Sequence, residues 1–329
     1  MQKVVLITGA NSGVGFSVAD RLLEIEPSLT ICLACRNLAR AQVARSELLA
    51  KHGSKCTIDV QSVDTSDLKS VYKAAEEIKQ RYKCLNYLYL NAGIMPVSTI
   101  NWKGFLKGLF SVRRVIEMFS TGEGLLSVKD HSTDDGLKAI FTTNIFGHFV
   151  LVLALKDLLV NSKTHIIWTS SSNARRSHFN INDVQHEQGS EPYSSSKYAI
   201  DLLSLAINYE WNSHGVYSHI TCPGLSITNI TNSILPKWLW RAITPVMCSM
   251  RLFVPRITLS PYNSAEALVW LFQQDPAAVA QDRKYISHCN VLGKRYTHAE
   301  IIDFDVDEAN ELYEKLAGLE QVFRNRFKS

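Results

Sequence analysis

Up to residue 90, short apolar runs alternate with longer segments whose apolar positions recur every three or four residues. Val4-Val5-Leu6-Ile7-Thr8 is a continuous β-rich run, the pattern of a strand covered on both faces. Val18, Leu22, Leu23 and Ile25 follow at helical spacing. Thr30–Cys35, Thr57–Val63 and Leu85–Leu90 read as further strands, with Leu38–His52 and Leu68–Tyr82 as the helices between them. Such alternation is the signature of a parallel, doubly wound α/β sheet. Further on, the pattern predicts a long helix over Asp134–Val160, strands at Thr164–Thr169 and Ser218–Cys222, a helix after Pro192, and a short strand at Lys284–Ser287. About seven strands in a single domain result.

Two stretches break the rhythm. Residues 95–135 read as an insertion. Within it Trp102–Phe119 mixes basic with apolar residues, and a helical reading puts Phe105, Leu109 and Phe119 on one face. It suits a pocket lid, a partner contact, a membrane-surface helix or a satellite cluster on the domain. Residues 229–262 are again apolar, but Lys237, Arg241, Arg251, Pro236 and Pro245 interrupt Ile234–Val254. A spanning helix needs about 20 predominantly apolar residues. Trp238 and Trp240 beside basic residues fit an interfacial helix, with a hydrophobic lid as the alternative. Asn229-Ile230-Thr231 matches a glycosylation sequon, a pattern frequent by chance. Residues 291–329 read as a C-terminal helical extension, with Leu312, Leu316, Leu319 and Val322 at amphipathic spacing.

Composition narrows the classes. The 329 residues are 46% hydrophobic and 20% charged, as in ordinary globular chains. A net charge of +4, without a basic block, predicts no nucleic-acid partner. The seven cysteines are scattered, and Cys32-Leu33-Ala34-Cys35 lies in an apolar run, so core cysteines are expected and no metal site. The N-terminus lacks the pattern of a signal peptide, so the chain is expected to begin, and mostly stay, in a reducing compartment.

The chemistry gathers at strand ends. Thr8-Gly9-Ala10-Asn11-Ser12-Gly13-Val14-Gly15 joins the first strand to the first helix, and small residues there let backbone N–H groups approach a pyrophosphate. The spacing is GxxxGxG rather than the commoner GxGxxG. Arg36 ends the second strand where a carboxylate would bind a ribose 2′-hydroxyl; an arginine there accepts a 2′-phosphate, arguing for NADP(H) over NAD, with Arg40 to assist. Its alternative is a surface arginine. Asp64 either touches an adenine ring or caps the helix near Ser66. Asn144, polar in an apolar run, is a hinge or an active-site residue, and His148 is left as a core or surface histidine. Ser170-Ser171-Ser172 ends a strand, where a hydroxyl could hold a substrate carbonyl or simply form a turn. Tyr193 and Lys197 stand four apart on one helix face, where an ammonium favours phenolate and suits the phenol for acid–base work. Taken singly, such a pair is also a common surface feature.

Thr8-Gly9-xxx-Gly13-x-Gly15, Asn91-Ala92-Gly93, Asn144, Ser170-Ser171, Tyr193-xxx-Lys197 and Pro223-Gly224 occur in an order that resembles the short-chain dehydrogenase/reductases over roughly residues 1–290. The resemblance implies a Rossmann-type fold using NADPH/NADP+. It implies cofactor contacts from Thr8, Gly9, Asn11, Ser12, Gly13, Val14, Gly15, Arg36, Asp64, Asn91, Gly93, Lys197, Pro223 and Gly224. Tyr193 would donate a proton to a ketone, Lys197 would lower the Tyr193 pKa and hold the nicotinamide ribose, Ser171 would bond the carbonyl oxygen, and Asn144 would anchor a relay water. Two departures stand out: Leu90 replaces a usual asparagine, and 22 residues separate Ser171 from Tyr193 instead of about a dozen. A spacing rule alone would select Asn180; the strand-end argument selects Ser171.

Leu90–Pro96, Ile167–Ser171, Glu191–Ala199 and Glu266–Phe272 are similar to the steroid-ketone-reducing branch of that family. That implies reduction of sterol 3-ketones in cholesterol biosynthesis and of the 17-ketone of estrone, at the endoplasmic reticulum membrane with the catalytic domain facing the cytosol. It also implies a membrane-surface partner and a possible homodimer through the helices of Asn144 and Tyr193. The rivals are reduction of another apolar carbonyl such as retinal, which shares every catalytic residue, and a non-catalytic dinucleotide-binding membrane adaptor.

Overall fold

Thr8 and Asn91 meet at the centre of the sheet, because the strand order reverses between their strands. The computed structural model describes residues 2–100, 126–226, 244–245, 247–302 and 304–328. Its strands are β1 (Val4–Thr8), β2 (Thr30–Cys35), β3 (Thr57–Ser62), β4 (Tyr87–Leu90), β7 (His165–Thr169), β8 (Tyr217–Cys222), β9 (Arg283–Cys289) and β10 (Arg295–Ile301). They form one sheet in the order β10-β9-β8-β7-β4-β1-β2-β3, parallel except for β10. A separate hairpin pairs β5 (Val97–Ile100) with β6 (Leu126–Val128).

Period-2 alternation makes the sheet a divider between two cores. Along β1, Leu6 faces one cluster and Val5 and Ile7 face the other. The second layer holds α1 (Gly13–Ile25), α2 (Leu38–His52) and a short helix, Glu266–Phe272. The first holds α3 (Leu68–Arg81), α4 (Ala139–Ala154), α5 (Lys156–Ser162), α6 (Pro192–Trp211) and, beyond the Glu266–Phe272 helix (α7), the C-terminal α8 (Val306–Lys328). Both faces are covered, which is why the parallel strands read as unbroken apolar runs.

Three expectations meet differences. The sheet has eight strands rather than about seven, because residues 295–301 add an antiparallel edge whose exposed and half-exposed residues alternate. The C-terminal extension is therefore a strand followed by a helix. The helix expected from Asp134 starts at Ala139 and ends at Ala154, with a 69° bend into α5. Its residues Thr142–Phe146 form a π turn. Gly147 follows that turn, and a Cβ there would collide with the Thr65 carbonyl, so α4 can lie this close to the β3–α3 connection only with glycine. The residues expected at Trp102–Phe119, Asn229 and Trp238 to Trp240 lie outside the described set.

Cys32 and Cys35 are buried in β2, where burial pushes the Cys35 thiol up to about 11. Among the described residues no cluster of His, Cys, Asp or Glu could hold a metal ion, and no single helix is long and apolar enough to cross a membrane.

Candidate active site

The carboxyl ends of β1, β4, β7 and β8 converge with the N-terminal turns of α1 and α6. At the first of these, Gly9 has φ +68° and Gly13 φ +60°, a region open to glycine. A Cβ on Gly9 would stand 3.0 Å from the Ala92 Cα. Thr8 ties the loops together: its hydroxyl receives the Asn91 and Ala92 N–H groups at 2.8 and 3.0 Å, and Asn91 Nδ2 donates to the Thr8 carbonyl at 3.0 Å. Asn91 thus supports the glycine turn, and Gly15 is packed under it, with space for no Cβ. Ser12 is the N-cap of α1, and Gly13 and Val14 open the helix toward the switch point. The donor set, a bare backbone turn at a helix N-terminus, fits a dinucleotide pyrophosphate.

Arg36 follows β2 with its side chain 71% exposed, 3.6 Å from Asp64. Asp64 does not cap the helix as the second alternative had it: Oδ1 accepts both Ser66 N–H and Ser66 hydroxyl, at 2.9 and 2.6 Å, closing the turn before α3, and the N-cap of α3 is Asp67. Asn11 and Arg40 line a depression of about 280 Å³ beside α2, so a second cation stands near the glycine turn.

Pro192 opens α6, which places Tyr193 in the first turn and Lys197 one turn on. Lys197 Nζ lies 5.6 Å from the Tyr193 ring centre and donates to the Thr169 carbonyl at 2.8 Å. The Ser171 hydroxyl lies near enough to the Tyr193 phenol to draw its pKa down, and it receives Asn173 N–H at 3.1 Å. The structure thus puts Ser171, not the exposed Asn180, beside the tyrosine. Asn144 sits in the π turn, a distortion that recurs at functional sites. Its Oδ1 accepts Ile94 N–H at 2.8 Å, and its Nδ2 faces the Ile94 carbonyl and the Ser196 hydroxyl, each at 3.1 Å. Gly93 lies between Asn144 and Lys197; a Cβ on it would be 3.2 Å from Asn144 Oδ1 and 3.7 Å from Lys197 Nζ. Pro223 and Gly224 close the opposite wall after β8, with the Thr258 hydroxyl donating to the Pro223 carbonyl at 3.1 Å.

The electrostatics correct one expectation. Burial pushes the Tyr193 phenol up to about 12, and the influence pulling it down is the Ser171 hydrogen bond. Lys197 aims at Thr169 instead, and burial lowers its own pKa to about 8 despite the Asp201 carboxylate nearby. Near pH 7 the phenol is therefore neutral, the form that can donate a proton.

The core alternative for His148 holds, and its link to the site is what sequence reasoning missed. His148 is buried, bonded through Nε2 to the Thr8 hydroxyl at 3.0 Å and through Nδ1 to the Asn144 carbonyl at 3.2 Å, and burial holds its pKa near 4. It links the glycine turn to the π turn. Its i, i+4 spacing from Asn144 was the available signal.

The short chain dehydrogenase family model matches residues 3–238. The 3-keto-steroid reductase/17-beta-hydroxysteroid dehydrogenase 7 of Rattus norvegicus is 49% identical over 98% of this chain and 97% of its own length. The Homo sapiens protein of that name is 48% identical over 98% and 95%. An alcohol dehydrogenase from Thermococcus sibiricus, solved with 5-hydroxy-NADP, superposes with a TM-score of 0.57 at 20% identity, covering 86% of this chain and 96% of that one, which supports the fold. From these matches and the ordered motifs, the chain belongs to the short-chain dehydrogenase family.

Proposed function

We propose that this chain is an NADPH-dependent reductase of steroid ketones, taking the 3-ketone of sterol intermediates and the 17-ketone of estrone to alcohols. The near-full-length identity to the rat and human proteins carries the reading. The bound dinucleotide would supply hydride to the carbonyl carbon. Neutral Tyr193 would give its proton to the oxygen that becomes alkoxide-like. The Ser171 hydroxyl, already beside that phenol, would donate to the same oxygen and share its growing charge. Lys197 would hold the ribose with an ammonium kept on Thr169, and Asn144 would fix the Ile94 backbone over the site. Arg36 and Arg40 are the cations for a 2′-phosphate.

The test is oxidation of NADPH and of NADH by the purified protein with a 4-methyl-sterol 3-ketone, estrone and retinal side by side. NADPH-dependent turnover of the sterol ketone or estrone is expected. Turnover of retinal alone would overturn the substrate class, and dinucleotide binding without any turnover would favour the adaptor.

We place the reaction at the endoplasmic reticulum membrane surface, facing the cytosol. Leu252 and Phe253 support contact with a membrane surface, standing 67% and 77% exposed on the described end of the apolar segment. In flotation with phosphatidylcholine vesicles carrying anionic lipid, Leu252→Ser/Phe253→Ser should lower the bound fraction several-fold. Equal flotation of variant and parent would refute the role of this pair.

A further inference from the structure

Beneath the candidate site lies an ion pair that the reaction does not use directly. Asp201 is on α6, one turn beyond Lys197, and Lys284 is on β9. Lys284 Nζ is 2.5 Å from Asp201 Oδ2, and the two side chains are 10% and 1% exposed. The same ammonium donates to the Ser171 carbonyl at 3.2 Å. Next to it, the Ser170 hydroxyl donates to the Lys197 carbonyl at 3.2 Å. One buried pair therefore touches the strand end that carries Ser171 and stands within electrostatic reach of Lys197.

We propose that Asp201 and Lys284 are positioning residues: the pair anchors the Ser171 strand end through its carbonyl and sets the charge balance around Lys197 Nζ. The inference rests on the reductase reading above. An ion pair at such burial is no bargain for stability, since desolvation offsets most of its attraction, while loss of one partner leaves a lone buried charge. Here the lone charge would differ in sign between the two single variants. The groups facing Lys197 are few: Tyr193 and Asp201 from α6, Asn144 and His148 from α4, the Thr169 carbonyl from β7, Cys222 from β8 and Lys284 from β9. Tyr193 and His148 are neutral near pH 7, so Asp201 and Lys284 are the full charges in that set. Asp201 favours the Lys197 ammonium and Lys284 opposes it.

Asp201→Asn leaves Lys284 as an uncompensated like charge, so Lys197 loses its proton at lower pH. Lys284→Met leaves the Asp201 carboxylate with Lys197 as its cation, so Lys197 keeps its proton to higher pH. Shifts of about one pH unit are expected for charges this close. They are read in two ways on the full chain: the basic limb of the kcat/KM profile with NADPH and the ketone, and the titration of the Lys197 Cε signal in carbon-13-lysine NMR, assigned with Lys197→Met. The limb's position does not depend on how much of the protein is folded, so mere destabilisation would not move it. Opposite shifts, down for Asp201→Asn and up for Lys284→Met, are the expected result. Shifts in one direction, or none, overturn the proposal. Should Asp201→Asn not fold, adding it to Lys284→Met must still move the limb down. If the parent protein turns over no ketone, the reductase reading fails, and the NMR titration still decides this proposal.

Discussion

Tyr193→Phe should reduce ketone turnover by about 10²- to 10⁴-fold, the usual contribution of a positioned proton donor. That corresponds to roughly 3–5.5 kcal/mol in the barrier. The ring stays on Lys197, and the glycine turn at Gly9 and Gly13 is untouched, so dinucleotide affinity measured by fluorescence titration should change less than about threefold. Ser171→Ala should cost less, on the order of 10²-fold, because the neutral phenol remains. Ser171 is the group that eases the phenol's proton, and even against that pull burial holds it up at about 12. A Tyr193→Phe enzyme within tenfold of the parent would mean that another group, or solvent, delivers the proton.

Ending the chain at Ile302 should give a protein that melts well below the parent and self-associates at micromolar concentration. Removal of α8 would take away Ala309, Leu312, Tyr313, Leu316 and Phe323, all buried. It would uncover Phe149, which meets Tyr313 edge-on at 5.4 Å, and Phe146, which meets Phe323 at 6.1 Å. Each large apolar side chain so lost withdraws about 1.5–3 kcal/mol. The ordering entropy of the helix offsets part of that sum. Glu320, 2% exposed, is satisfied by Tyr72 at 2.7 Å and Arg324 at 2.8 Å, and Tyr72 would be left with a bare hydroxyl. The α4 and α6 helices covered this way carry Asn144 and Tyr193, the pair through which a homodimer is one possibility; α8 lies across them within the same chain.

Activity should fall further than the melting temperature alone implies. Arg176 reaches Asp305 and Glu308 at 3.1 and 3.6 Å, and Lys315 Nζ donates to the Ile181 carbonyl at 3.0 Å. These contacts pin the long connection between Ser171 and Tyr193. Analytical ultracentrifugation and calorimetry of the truncated chain check the first effect, and kcat at a temperature where it is folded checks the second. A monomer melting within a degree or two of the parent would show α8 to be dispensable.

The doubly wound core was legible because strands covered on both faces need continuous apolar runs, as residues 4–7 and 166–168 supply. Tyr193, Lys197 and the glycine turn were legible because their chemistry depends on local spacing, which the chain displays directly. What escaped depends on distance or on irregularity. β10 mixes charged, polar and apolar residues without a clean period, and as an edge strand it pairs with β9 alone, so little local marks it as a strand. The π turn looks like any apolar helix in one dimension. Asp201 and Lys284 are 83 residues apart and read as ordinary surface charges until the fold buries them. The length of the Ser171–Tyr193 connection misled a spacing rule because a doubled loop costs only about 0.6 kcal/mol to close, so chain length there is free to drift while geometry is not.

The π turn makes α4 a locked register. It inserts one residue into a helix whose two halves are each held at fixed points: Asn144 on the Ile94 backbone, then Gly147 against Thr65 and His148 on Thr8. Deleting one residue of Thr142–Phe146 would regularise the helix, because a wide turn is how an extra residue is absorbed while both flanks keep their phase. Gly147 and His148 would keep their places, and the loss would fall on Asn144 and its hold on the Ile94 backbone. The bulge thus serves the site rather than the packing of α4.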